Sequence, residues 1–303
     1  MAATDSPGSP GALRSPGPKG SAGRPARPVN WAVRAVAGRV SFYFFVALVT
    51  VFFALPLTWL VLAPFEAHPT FVAGLSQPTL SNFATIFDDP GVLVSLRNSL
   101  ILALATMVVV VACAAFAAYA LSRVRIAGRD IMLYVLLLFS SVVSGSAAMV
   151  PLFLLVFDLH LINSLTGVIL VLAGGLLPAA IFILKDFMDS VPTSYEESAR
   201  VFGASPFQIL RDIVSPLVRP GLAVIAVWAI VQVWGNFLIP FILLRSSSLT
   251  PGAVEIYSFY TSGGSVNLAL ISTFSLIYTI PVVVMYLFVQ KRYGFRFHGG
   301  IKR

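Results

Sequence analysis

Residues 192–219 read PTSYEESARVFGASPFQILRDIVSPLVR, and this polar segment separates two long apolar stretches. It holds two adjacent glutamates, three arginines and an aspartate, whereas the whole chain of 303 residues is 58% hydrophobic and 11% charged. Soluble domains average about 25% charged residues. The rest of the chain has too little charge to cover a water-soluble globule. The composition therefore predicts an all-α integral membrane protein in which the polar segment lies in water.

Capping signals inside the polar segment predict two short helices. Thr193 and Glu196 have the spacing of a helix-capping box. Gly203 suits the left-handed turn that follows a helix. Ser205 and Gln208 repeat the capping-box spacing, with a proline at the first helical position between them. A pair of helices this short has no core of its own, so its apolar side chains either pack against the membrane helices or insert into a partner's groove.

Six apolar stretches are long enough to cross a membrane, because a spanning helix needs about 20 mostly apolar residues. They lie at roughly 41–63, 98–121, 131–156, 164–188, 220–244 and 267–290. Residues 41–303 are therefore predicted to form one transmembrane domain with six helices. Residues 1–40 are rich in proline, glycine and alanine, and this composition predicts a disordered tail.

The positions of lysine and arginine predict which loops are cytoplasmic. If the N-terminus is cytoplasmic, eighteen of the twenty basic residues fall in cytoplasmic segments, and Arg97 and Arg245 fall outside. Cytoplasmic loops of membrane proteins carry an excess of this kind. Both termini are therefore predicted in the cytoplasm. The same arrangement explains the net charge of +8 without a nucleic-acid partner.

No motif in the sequence would let this chain supply its own energy. No charged residue lies near the middle of a predicted span, whereas proton- or voltage-driven proteins generally carry such residues. The sequence contains no G-x-x-x-x-G-K-[ST] phosphate loop and no catalytic or metal-ligating set, and its single Cys113 lies in an apolar run. Uphill transport would therefore need an energy source in a partner. Two alternatives are a self-sufficient secondary transporter or channel and a membrane-bound enzyme. The first requires charged residues within the spans, and the second requires a catalytic or metal-ligating set.

The polar segment resembles the EAA loop of ABC-transporter permeases. That pattern is E-A-A, three residues, glycine, nine residues and I-x-L-P, and the matching positions are Glu197, Ala199, Gly203, Ile213 and Pro216. The sequence departs from the pattern at Ser198, Phe202 and Ser215, where the family usually has alanine, an acid and leucine. The segments AAYALSRVRIAGRD, WGNFLIPFILL and HGGIKR are also similar to those of MalG-like permeases for carbohydrate uptake.

This resemblance implies a type I ABC importer permease fold in the plasma membrane of a prokaryote. It implies that the cytoplasmic EAA helix pair binds a separate ATPase, with Glu197 in polar contact and Gly203 setting the turn. Glu196 and Phe202 belong to the same implied site, with Ala199, Ile213 and Pro216. In MalG-like proteins the C-terminal tail also reaches the ATPases, which implies further contacts at Gly299, Gly300 and Lys302.

The implied assembly contains several partners. They are a second, MalF-like permease subunit, a homodimeric ATPase that binds ATP and magnesium, an extracytoplasmic solute-binding protein, a sugar and the membrane lipid. This chain itself would bind no cofactor and catalyse no reaction.

Polar residues within the predicted spans are the candidates for the substrate path. They are Ser140, Ser144, Gln232, Trp234 and Asn236. An aromatic ring beside two amides would suit a sugar. For the serines the favoured alternative is close helix packing, and for the two amides it is hydrogen bonding between helices.

Overall fold

Helices account for most of the chain that the structure describes. The structure is a computed structural model, and it describes residues 30–70, 74, 76–124, 128–143, 148–261 and 267–293. These ranges contain no β-strand, only an isolated bridge between Glu66 and Pro78. The chain divides into two units, Met1–Ala54 and Leu55–Arg303, which are described separately below.

The described part of the first unit is the beginning of helix α1, which runs Asn30–Leu62. The helix starts after Pro28, the last proline before Pro56, so the backbone can propagate a helix from that point. Residues 30–40 of the predicted tail are helical, and its residues 1–29 lie outside the described residues. Side chains from Val36 onward in this unit are exposed and mostly apolar.

The second unit contains the remaining helices. They are α2 (Ser81–Asp88), α3 (Pro90–Arg123), α4 (Arg129–Val143), α5 (Met149–Asp158), α6 (Leu165–Asp189), α7 (Ser194–Val201), α8 (Pro206–Gln208), α9 (Ser215–Leu217), α10 (Arg219–Trp234), α11 (Leu238–Leu243), α12 (Gly252–Thr261) and α13 (Leu268–Tyr293). A π-helical turn, Ile209–Val214, joins α8 to α9.

Four helical stretches in the described ranges are long and apolar enough to cross a membrane. They are Val36–Phe65, Pro90–Arg123, Leu165–Asp189 and Leu268–Lys291. A fifth is possible if Pro206–Leu217 and α10, which meet at a bend of 83°, form one span. The described chain is therefore an all-helical membrane protein with four to five apolar spans.

Helix α3 lies at the centre of the second unit and packs against α6, α10 and α12. Its buried residues recur every three or four positions, as one face of a helix requires, and include Thr106, Val110, Ala114 and Ala118. Small buried residues also face this core from α6 and α10, among them Ala180. Small side chains allow membrane helices to approach closely, which explains the tight packing of these three helices.

The predicted span at 220–244 is not one helix. In a continuous helix the carbonyl of Trp234 would accept a hydrogen bond from the amide four residues later. Here it accepts the hydroxyl of Tyr278, while the indole of Trp234 donates to the carbonyl of Tyr278 at 3.1 Å. The side chain of Asn236 then accepts the amide of Ile239 at 3.2 Å, at the start of α11. Side-chain hydrogen bonds thus end α10 within an apolar stretch.

The predicted span at 131–156 is described in two parts. Helix α4 ends at Val143 and α5 begins at Met149, and the residues between Val143 and Ala148 lie outside the described ranges. Near the end of α4 the hydroxyl of Ser140 donates to the carbonyl of Leu137 at 2.8 Å. Such local bonds compete with the helical backbone pattern.

Candidate functional site

The polar segment folds as two helical pieces joined by a glycine turn, as its sequence predicts. Gly203 follows α7 with φ +83°, in the left-handed region. Its amide donates to the carbonyl of Arg200 at 2.9 Å, and the amide of Ala204 donates to Ala199 at 3.1 Å. These two bonds form a Schellman motif. A Cβ atom at Gly203 would meet no atom within 4 Å, so the backbone conformation alone requires glycine there.

Of the two predicted capping boxes, only the second forms. The hydroxyl of Ser205 accepts the amide of Gln208 at 3.3 Å, and the Gln208 side chain accepts the amide of Ser205 at 2.8 Å. Thr193 makes no capping bond with its side chain. The first prediction is wrong because Glu196, the other member of that box, turns toward the membrane helices and bonds there.

The apolar side chains of the polar segment divide between two environments. Ile209, Leu210 and Val214 are buried against residues of α3, α6 and α10. At the glycine turn Val201 is 85% exposed and Phe202 is 90% exposed. The second half of the segment therefore packs on the helix ends, and the turn projects two large apolar side chains into solvent.

Glu196 makes the strongest polar contacts of the segment. Its side chain is 2% exposed. One carboxylate oxygen accepts a hydrogen bond from Nε of Arg123 at 2.6 Å, and the other accepts one from the hydroxyl of Tyr119 at 3.0 Å. Arg200 lies 3.8 Å from the same carboxylate. Glu197, the next residue, is exposed. The two adjacent glutamates thus have different environments, one internal and one on the surface.

The contacts of Arg123 extend to two further helices. Its Nη1 donates to the hydroxyl of Ser122 at 2.9 Å, and the Ser122 hydroxyl donates to Asp189 of α6. Lys185 donates to Asp189 at 2.8 Å and lies 3.6 Å from Asp130 of α4. A continuous chain of polar contacts, which we call the inner network, therefore joins the ends of α3, α4 and α6 to α7.

Sequence reasoning missed the inner network because it treated these basic residues only as markers of cytoplasmic loops. The sequence did contain a usable signal, because Glu196 and Glu197 are adjacent in one predicted helix. Adjacent positions on a helix point about 100° apart, so only one of them can face the helix ends. The structure shows that this residue is Glu196.

The residues of the predicted coupling site do not share one surface. Glu197, Phe202 and Gly203 are exposed. Glu196 is buried, and the remaining members are half-buried, namely Ala199, Ile213 and Pro216. The three predicted C-terminal contacts, Gly299, Gly300 and Lys302, lie outside the described residues.

Two of the predicted substrate-path residues share a small pocket of about 90 Å³ between α6 and α10. Gln232 and Asn236 line it, together with Leu172, Leu176 and Ile239 among others. Polar amides thus face an otherwise apolar wall. The oxygen of Asn236 also caps α11, so this side chain has a structural role as well.

The other substrate-path candidates lie elsewhere. Trp234 is buried, and its ring stacks on Tyr278 with centroids 4.9 Å apart. Its ring thus lies in the core beside Tyr278, and its place in a cluster with the two amides stays a prediction. Ser140 makes the local bond described above, and Ser144 lies outside the described residues.

Comparison with known protein families gives a clear match. The family described as "binding-protein-dependent transport system inner membrane component" matches residues 111–294. Among curated relatives, the maltodextrin transport system permease protein MdxG of Bacillus subtilis is 29% identical over 268 residues, 88% of this chain and 96% of the relative. The galactooligosaccharides transport system permease protein GanQ of the same species is 30% identical over 257 residues, 83% and 90% of the two chains.

A solved structure shares the fold. It is a crystal structure of a bacterial ABC transporter involved in the import of the acidic polysaccharide alginate, with a TM-score of 0.70 and 22% identity over 89% of this chain and 100% of that chain. The chain belongs to the family of binding-protein-dependent transport inner membrane components. It is a non-catalytic permease subunit of an ABC transporter.

Proposed function

We propose that this permease imports a sugar or oligosaccharide and forms half of the translocation pathway. The observation that carries the proposal is that the relatives MdxG and GanQ, which this chain matches over most of its length, are named for maltodextrin and galactooligosaccharides. The amides of Gln232 and Asn236 offer donors and acceptors that suit sugar hydroxyls, in a pocket beside α6. They are the proposed substrate contacts of this chain.

The polar segment is the proposed docking site for a separate ATPase that binds ATP and magnesium. Its glycine turn projects Val201 and Phe202 outward, and Glu197 is exposed beside them. Large exposed apolar residues on a rigid turn are the kind of anchor that a partner's pocket buries. Ile209 and Val214 hold the second half of the segment against the membrane helices. The C-terminal residues Gly299, Gly300 and Lys302 are proposed as a second contact.

The proposed topology has six spans with both termini in the cytoplasm. The distribution of lysine and arginine supports it, and so does the inner network. The predicted cytoplasmic residues Arg123, Asp189 and Glu196 come from different parts of the chain and meet at one end of the helices. A second permease subunit would complete the pathway, and an extracytoplasmic binding protein would deliver the sugar.

The coupling role can be tested with Gly203→Pro in the complete importer, reconstituted in proteoliposomes. Proline fixes φ at about −65°, which is incompatible with the left-handed conformation at this turn. We expect a membrane-inserted protein with little sugar uptake and little ATPase stimulation by the binding protein. Gly174→Ala is the matched control, because a Cβ there meets no atom within 4 Å. Normal substrate-stimulated ATPase activity of Gly203→Pro would refute the role of the turn.

The substrate class can be tested by ligand binding to the binding protein that stimulates this importer. The test panel contains maltodextrins, galactooligosaccharides and alginate oligosaccharides, with amino acids as the negative controls. It shows whether the substrate is a carbohydrate. We expect at least one carbohydrate to bind and to be taken up. Uptake of an amino acid with no carbohydrate binding would refute the sugar assignment and leave the family membership intact.

A further inference from the structure

The attachment of α7 to the membrane helices depends on one carboxylate. All eight residues of α7 are described, and among them Glu196 is the one that is buried. Ala199 adds a half-buried methyl group. A helix of this length is not stable by itself in water. The position of α7 is therefore determined mainly by what Glu196 contacts.

The two hydrogen-bond partners of Glu196 lie at the C-terminal end of α3. A buried carboxylate loses its hydration and needs a paired charge and hydrogen bonds in return. Arg123 supplies the charge at 2.6 Å, and Tyr119 supplies a hydroxyl donor at 3.0 Å to the second oxygen. Both carboxylate oxygens are thus held by α3. This contact fixes the orientation of α7 as well as its distance.

The guanidinium group of Arg123 is itself held in one orientation. Its three nitrogens donate in different directions, to Glu196, to Ser122 at 2.9 Å and to the carbonyl of Val191 at 3.2 Å. A planar group with all three nitrogens engaged has little freedom to rotate. By contrast, the second half of the polar segment rests on the apolar side chains of Ile209 and Val214, and apolar contact is not directional.

We propose that Glu196 and Arg123 are positioning residues that make α7 and the last turn of α3 move as one body. The inference rests on the proposed docking of the polar segment to an ATPase. When that partner displaces the glycine turn, the ion pair carries the displacement to α3. Helix α3 packs against α6 and α10, the two helices that line the pocket with Gln232 and Asn236. Movement at the ATPase thus reaches the proposed substrate path through this ion pair, alongside the apolar contacts of Ile209 and Val214 with the same helices.

The first test compares the adjacent glutamates in the complete reconstituted importer. We expect Glu196→Gln to lower sugar uptake per ATP hydrolysed by at least about fivefold, the lower end of typical coupling between two sites. Glu197→Gln should instead lower the amount of ATPase subunit that co-purifies. Asp186→Asn is the control, because Asp186 is an exposed acid on α6 near Asp189 and should move neither measurement. The charge-swapped pair Glu196→Arg with Arg123→Glu should restore part of the uptake per ATP.

Two results of this test would overturn the inference. One is wild-type uptake per ATP in Glu196→Gln. The other is a charge-swapped pair whose sugar uptake per ATP is no higher than that of Glu196→Gln. Failure of the proposed docking would give different results. In that case no ATPase subunit would co-purify with the wild-type chain, and Gly203→Pro would not change uptake or ATPase activity.

A second measurement keeps the inference testable if Glu196→Gln does not assemble. Spin labels at Ser194 of α7 and Ala120 of α3, both exposed, report the distance between the two elements in a Cys113→Ser background. In an active labelled importer we expect the same narrow distance distribution without nucleotide and with ATP bound. A shift of that distance on ATP binding would show that α7 moves independently of α3, and would overturn the inference.

Discussion

The two ends of helix α3 are attached to their surroundings by different chemistry. Near its N-terminal end, Asn98 donates to the carbonyls of Ser248 and Thr250 at 2.9 and 3.1 Å. The hydroxyl of Ser99 accepts the amide of Gly252 at 2.8 Å. These are neutral side chains bonded to backbone groups. At the C-terminal end the inner network consists mainly of charged side chains bonded to one another.

The neutral attachment is repeated in a neighbouring loop. Asn163 has φ 56°, and its side-chain oxygen accepts the amides of Arg245 and Ser246, each at 3.0 Å. Its amide nitrogen donates to the hydroxyl of Ser246 at 2.8 Å. Bonds between a short amide and the backbone hold two loops in one arrangement. At the C-terminal end of α3 the inner network instead includes the pair of Lys185 with the exposed Asp130, which can exchange partners with water and salt. The difference indicates a fixed end and an end suited to movement.

The largest expected loss of stability is for Gly167→Ala, at the fixed end. A Cβ at this position in α6 would lie 2.4 Å from the carbonyl oxygen of Leu161, a backbone atom that cannot turn aside. We expect the free energy of unfolding to fall by about 3 kcal/mol, the upper range for overpacking. Thermal unfolding in detergent, followed by circular dichroism, measures this. In the control Gly174→Ala, on the same helix, stability should not fall, and equal losses in both variants would contradict the prediction.

A smaller loss is expected for Asn98→Ala. The substitution leaves the carbonyls of Ser248 and Thr250 without their side-chain donor, in a partly buried setting. The cost of an unmade buried hydrogen bond is about 1–3 kcal/mol, and the same unfolding measurement reports it. Asn267→Ala, which removes an exposed side-chain bond to the amide of Leu270, should cost less. The reverse order would mean that the fixed end does not depend on Asn98.

The smallest effect is expected for Asp130→Asn, at the end suited to movement. Asp130 is 66% exposed and lies 3.1 Å from Arg129 and 3.6 Å from Lys185. Exposed ion pairs contribute about 0–1 kcal/mol and are screened by salt. We therefore expect a change in unfolding free energy below about 0.5 kcal/mol, which should vanish at high salt. A loss as large as that of Asn98→Ala would remove the contrast between the two ends.

Local signals in the sequence predicted the elements whose causes are local. The glycine turn at Gly203 and the capping box of Ser205 depend on residues a few positions apart, and both form as predicted. The apolar stretches at 164–188 and 267–290 correspond closely to α6 and α13. Length and apolar composition are sufficient to predict a helix where no distant side chain interferes.

Predictions were wrong where a distant side chain competes for a local bond. The capping box at Thr193 does not form because Glu196 bonds to Arg123, 73 positions earlier in the sequence. Helix α10 ends at Trp234 because the hydroxyl of Tyr278, 44 positions later, takes its carbonyl. Neither partner could be identified from spacing, since nothing in the sequence places these residues together.

The sequence by itself determined the class of the protein, the short helices of the polar segment and the turn between them. Composition and caps act within a few residues, so the printed order of amino acids is enough to predict them. Only the tertiary structure decided which glutamate faces inward, where α10 ends and which amides share a pocket. Those outcomes depend on bonds between positions far apart in the chain, and these bonds exist only after α3, α6 and α10 have packed together.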